Sequence, residues 1–174
     1  MHRASSLLAG VLSVTATLLT VSAFAESESP LRSAPNFLPP HVERVLTEGE
    51  FELLSLYPYV LTDKQRRRLQ GKLFHGYRVL GRVKIQKSPR RDELLRALRQ
   101  AVANSRGLYI YCFDPRHGIR ASLGGQTVDL AICFECEMIR IYPSGDPLAN
   151  TDATAQPAFD AALKNAGVPL GKRP

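Results

Sequence analysis

Apolar positions recur along this chain in two rhythms, and the change from one to the other marks its elements. From Tyr77 to Gln86 the alternation is every second residue. Tyr77, Val79, Val83 and Ile85 fall on one face, with Arg78, Arg82, Lys84 and Gln86 mostly on the other, which predicts a half-buried strand. At Ser88-Pro89 the rhythm changes: a capping serine with proline at the first helical position opens a helix. Leu94, Leu95, Leu98, Ala101 and Val102 form its apolar stripe and Gly107 closes it. Leu108–Phe113 predicts a further strand. A two-residue turn at Gly124-Gly125 then sets Leu123 opposite Gln126, Ala121 opposite Val128, Ile119 opposite Leu130 and His117 opposite Ile132. Every apolar residue of that hairpin meets an apolar partner, as a half-buried sheet requires. The second arm is expected to run on as one strand to about Tyr142, with Phe134, Cys136 and Met138 facing inward. A last helix begins at Pro157, with Phe159, Leu163 and Ala166 on its inner stripe. Before all of these, Glu50–Tyr57 reads as a strand stopped by Pro58. Thr62 or Asp63 caps a brief helix, Lys64–Leu69.

This pattern predicts an α+β domain over residues 50–174: a mainly antiparallel sheet of three or four strands with two helices packed on one face. Residues 26–49, rich at first in Ser, Pro and charge, are expected to be a flexible N-terminal arm in which His41–Gly49 can hold one short helical turn. Residues 1–25 read as a signal peptide. Arg3 precedes an uncharged stretch from Leu7 to Phe24, and Ala23-Phe24-Ala25 offers the small-x-small pattern of a cleavage site before Glu26. Export places the protein in the periplasm or outside the cell, not transmembrane once the signal is removed. No other stretch is apolar enough to span a membrane.

Charge changes the picture next. The 174 residues carry 23 Lys plus Arg against 16 Asp plus Glu, a formal +7. Thirteen of the cations lie between Thr62 and Gln100 against Asp63, Asp92 and Glu93, so that segment alone holds +10. A solvated outer face explains most of it, since Arg78, Arg82 and Lys84 lie on the outward side of an amphipathic strand. Export and the lack of interleaved aromatics argue against nucleic acid. The expected partner, if any, is an anionic envelope component, a lipid headgroup or acidic polymer.

Three cysteines and a histidine are the candidate chemistry. Cys112, His117, Cys133 and Cys136 together supply the donors of a zinc or copper site, with Cys133 and Cys136 as a C-x-x-C pair. An uninterrupted strand argues against it, because three steps separate the pair by about 10 Å and point them to opposite faces. Strand parity instead puts Cys112 and Cys136 inward and Cys133 on the more polar face. A Cys112–Cys136 disulfide is therefore preferred, with Cys133 as the odd thiol and no cofactor. Asp114, Arg116, His117 and Arg120 form a second candidate, a small polar site near Glu135 and Glu137 with weak potential for acid–base chemistry. No catalytic residue is assigned, and no Ser/His/Asp elbow, phosphate loop or H-E-x-x-H motif occurs.

Phe74-His75-Gly76-Tyr77, Cys112-Phe113-Asp114-Pro115-Arg116-His117-Gly118-Ile119-Arg120 and Ile132-Cys133-Phe134-Glu135-Cys136 carry a resemblance. The chain resembles an uncharacterised family of exported bacterial proteins over roughly residues 50–172. The resemblance implies an envelope protein and carries over no activity, cofactor or catalytic residue. The expectation from sequence is a small, non-enzymatic binding or structural module of the envelope, held by a disulfide. The alternatives are a Cys/His metal-binding or thiol-redox protein, and a hydrolase-like enzyme centred on His117.

Overall fold

The computed structural model describes residues 36–59, 61–69, 71–107, 112–143 and 148–172. Its first element is helix α1, Pro40–Glu48, with proline at the first position and Val42, Val45 and Leu46 buried along one face. Gly49 ends it, where an added Cβ would stand 2.4 Å from the Ser122 carbonyl oxygen. Residues 36–49, expected as the end of an arm, thus belong to the fold. Ser/Pro composition obscured this, because three buried aliphatic side chains within nine residues suffice for a docked helix.

Strand β1, Glu50–Leu56, follows at once, then the short helix α2, Asp63–Arg68, opened by the Thr62 capping box with Gln65. Strands β2, Leu73–Phe74, and β3, Tyr77–Lys84, make a tight corner. Helix α3, Pro89–Ala103, starts on the expected Ser88 cap. The expected strand at Leu108–Phe113 falls mainly outside the described residues; Cys112 and Phe113 themselves are not in a strand. Strands β4, His117–Leu123, and β5, Gln126–Cys133, form the hairpin in the expected register, from His117 opposite Ile132 to Leu123 opposite Gln126. Gly124 and Gly125 supply the two positive φ values that turn requires. Strands β6, Met138–Tyr142, and β7, Leu148–Asn150, complete the sheet, and helix α4, Gln156–Asn165, closes the fold.

The protein is α+β, with one antiparallel sheet in the order β2-β3-β1-β4-β5-β6-β7. Among the described residues the sheet has seven strands instead of three or four, and there are four α-helices instead of two. The extra strands come from short β2 and β7 and from a break in the long strand expected to reach Tyr142. Helices α1, α3 and α4 bury their stripes against one sheet face: Phe51 and Leu53 of β1, Ile119 and Ala121 of β4, Leu130 and Ile132 of β5, Ile139 and Ile141 of β6. Helix α2 buries nothing.

The opposite face carries Leu54, Leu56 and Ala131, covered by Phe74 and Tyr77 from the β2–β3 corner. In a flat sheet β2 and β5 would lie four spacings, about 19 Å, apart. His75 of the corner nevertheless bonds Asp129 of β5 at 2.7 Å and stacks on Tyr142 of β6 at 3.6 Å between ring centroids. The corner therefore curls over this face, as sheet twist permits. Gly118 allows the approach, since a Cβ there would meet the Phe74 ring at 3.0 Å.

Candidate functional site

The strand expected to run from Gln126 to Tyr142 stops at Cys133. Phe134, Glu135, Cys136 and Glu137 make a tight turn, and β6 returns with Met138 opposite Cys133. Glu137 takes the left-handed backbone conformation the turn needs, at φ +53°. No glycine, asparagine or proline announced it, so the apolar run read as one strand. The turn brings the Cys133 and Cys136 Cα atoms to 5.1 Å, and the two are joined by a disulfide. This corrects the preferred Cys112–Cys136 bridge. The free thiol is Cys112, exposed, instead of Cys133, which is 2% exposed.

The sequence reading nonetheless named the right neighbours. Cys112 Sγ lies 3.2 Å from Cys136 Sγ, so three sulfurs form one contiguous cluster. Backbone donors address two of them: the Asp114 N–H points to Cys136 Sγ at 3.4 Å, and the Cys136 N–H to Cys133 Sγ at 3.1 Å. Such donors stabilise sulfur that carries negative charge. Met138 and Phe113 pack against the bridge and give it an apolar wall. The wall is itself fixed: the Tyr77 hydroxyl donates to the Phe113 carbonyl, and the Arg140 guanidinium lies 4.3 Å from the Phe113 ring centroid. Burial pushes the Tyr77 phenol up from its ordinary range, with Arg140 pulling against it. Arg116 pairs with Glu135 of the turn, holding the Asp114–Arg116 segment against the C-x-x-C.

His117 lies elsewhere. Its side chain is 3% exposed and packs between the Phe134 and Phe159 rings on the helix side of the sheet. Its Nε2–H donates to Asp160 of α4 at 2.8 Å. That bond holds the Asp160 carboxyl below the usual carboxylate range, partly opposed by burial. Among the described residues no group of three or more His, Cys, Asp and Glu side chains is arranged to hold a metal in the disulfide-closed form.

Nor does the polar set of Asp114, Arg116, His117 and Arg120 come together as one site. His117 and Arg120 are three residues apart in β4 and so face opposite ways. Arg120 donates twice to Asp129, at 2.8 and 2.7 Å, and its bond to that carboxylate holds its own proton more firmly. Asp129 also accepts from His75. Sequence reasoning missed His75, Asp129 and Asp160 as polar partners. The Arg120–Asp129 pair was readable, because the Gly124-Gly125 register sets them opposite each other. Asp160 and His75 meet their partners only through tertiary packing.

No protein-family model matches the chain, and no curated protein or solved structure is similar to it. The site's own geometry is what bears on function.

Proposed function

We propose that this protein is a thiol–disulfide exchange module acting outside the cytoplasm, with Cys112, Cys133 and Cys136 as its working residues. The observation that carries the reading is the 3.2 Å approach of the exposed Cys112 sulfur to a sulfur of the Cys133–Cys136 bridge. Disulfides exchange when a thiolate attacks a disulfide sulfur. Here Cys112 loses its proton and attacks Cys136 Sγ. A Cys112–Cys136 bond forms, the Cys133–Cys136 bond breaks, and the electron pair leaves on Cys133 Sγ, which takes up a proton. The number of disulfides stays at one, so this step needs no outside oxidant. The Cys136 N–H faces the leaving Cys133 sulfur at 3.1 Å.

The local bridge spans three residues and the alternative spans 24. By constraining the unfolded chain they stabilise the fold by about 2 and about 3.5 kcal/mol respectively. A bridge kept only for stability would favour the longer loop. In the Cys112–Cys136 form the exposed sulfur is the one an external thiol can attack. A substrate dithiol would form a mixed disulfide with Cys112 and then close its own bridge, leaving the three cysteines reduced. The expected export signal supports this, because the compartment it implies is oxidising.

The test uses Cys133→Ala with oxidised glutathione. The reading expects a quantitative Cys112–Cys136 bridge, no free thiol and no retained glutathione. A stable glutathione adduct on Cys112 beside a free Cys136 would overturn it.

A further inference from the structure

We infer that the same three sulfurs, once the bridge is reduced, bind one copper(I) ion as a trithiolate, so that disulfide formation gates a soft-metal site. This rests on the proposed exchange reading only in sharing its residues; what it requires is that the bridge can be opened.

The cluster already has the composition of such a site. Cys112 Sγ and Cys136 Sγ are 3.2 Å apart, and Cys133 Sγ is held beside Cys136 by a turn whose Cα atoms are 5.1 Å apart. A metal with sulfur bonds of about 2.3 Å sets three sulfurs in a plane about 4.0 Å from one another. Cys112 and Cys136 therefore need to separate by less than 1 Å (roughly 0.8 Å on that geometry). The backbone N–H groups of Asp114 and Cys136 already point at two of the sulfurs. Those are the outer partners that orient and stabilise metal thiolates.

Ligand identity selects the metal. Zinc takes four ligands in a closed tetrahedron. The imidazole that would complete it, His117, is enclosed with Phe134, Phe159 and Asp160 instead. Met138 and Phe113 pack against the sulfurs as an apolar wall. Thiolate donors in an apolar wall suit copper(I). The exposure of Cys112 gives the ion a way in.

The chemistry balances in three steps. An external dithiol reduces the Cys133–Cys136 bond to two thiols and is itself oxidised to a disulfide. The ion then displaces three protons from the three thiols. An external disulfide, itself reduced to a dithiol, reoxidises Cys133 and Cys136 to their bridge, which removes two of the three ligands and releases the metal.

The full chain, opened with a phosphine reductant, is titrated anaerobically with copper(I) against a chromogenic chelator, and with zinc(II) in parallel. The inference expects one copper(I) per chain with thiolate-to-copper charge-transfer absorption. Cys112→Ser should weaken it on the order of a hundredfold, since losing a ligand costs at least as much as losing an outer partner. His117→Gln should leave it unchanged, and the oxidised protein should not bind. Zinc held more tightly than copper(I), unchanged binding in Cys112→Ser, or loss in a folded His117→Gln would overturn the inference. Because the phosphine opens the bridge in every case, copper binding with failed exchange leaves this inference standing alone. Exchange without copper binding removes only this inference.

Discussion

Cys112 and His117 are five residues apart, yet they occupy sites of opposite character. Cys112 is exposed and reaches a bridge sulfur, whereas His117 is enclosed and reaches a carboxylate. Of the candidate residues named from sequence, the cysteines stay together and the histidine leaves them. The closeness of Cys112 and Cys136 was named from sequence, but the strand parity used for it fails, since Cys112 is exposed outside any strand and Cys136 sits in a turn. Which partner Cys136 takes was not legible, because the turn depends on Glu137 adopting a positive φ that its residue type does not announce. The C-x-x-C spacing was the signal that the strand reading wrongly set aside, since it most often wraps a tight turn.

The His117–Asp160 pair ties one strand to one helix, and its pH dependence has a definite sign. Asp160's carboxyl is depressed in the folded protein, chiefly by the His117 hydrogen bond. Its contribution is therefore present above the ordinary carboxylate value of about 3.9 and is lost as the pH falls below it. Asp160→Asn should cost about 1–3 kcal/mol near neutral pH, as loss of a charge-assisted hydrogen bond does. Urea unfolding across a pH series should show the gap between wild type and variant closing in acid. A gap independent of pH would contradict the assignment.

At the scale of elements, the sequence was most readable where one local rule sufficed. The β4–β5 register followed from two glycines, and the start of α3 from Ser88 and Pro89. It was least readable where packing decides. Helix α1 exists because Val42, Val45 and Leu46 find the β4 and β5 face, and strands β2 and β7 are too short for their periodicity to register. The curl of the β2–β3 corner is of the same kind, since nothing local to Phe74-His75-Gly76 says that it reaches β5. That contact can be tested at Gly118, whose missing Cβ gives room to Phe74 at 3.0 Å and to Leu56 at 3.3 Å. Gly118→Ala should destabilise the fold by about 1–3 kcal/mol through overpacking. It should also raise hydrogen exchange at His75 and Gly76. A variant as stable as wild type would mean the corner does not rest on β4.

For the whole molecule, the charge excess resolves into two parts. Arg82, Lys84, Arg90, Arg91 and Arg99 bond to Glu52, Glu50, the Ala162 and Leu46 carbonyls, and Glu43. Lys64, Arg67, Arg68, Lys72 and Arg78, on and near α2, form no salt bridge among the described residues. Many cations of the segment thus fasten elements together, and Arg91 is itself buried, so they are not simply a solvated face. No helix among the described residues is long and apolar enough to cross a membrane. One sheet face is closed by three helices and the other by the curled corner, with the three sulfurs where the β5–β6 turn meets the segment entering β4. The cluster placed there is exposed at Cys112, while the Cys133–Cys136 bridge stays buried.

The most direct test is disulfide mapping of the wild-type chain after equilibration in a glutathione buffer, acid quenching and alkylation. Exchange predicts two bridges that share Cys136, Cys133–Cys136 and Cys112–Cys136, with the alkylated thiol on Cys112 in the first and on Cys133 in the second. A single Cys133–Cys136 bridge with Cys112 alkylated in every molecule would contradict it.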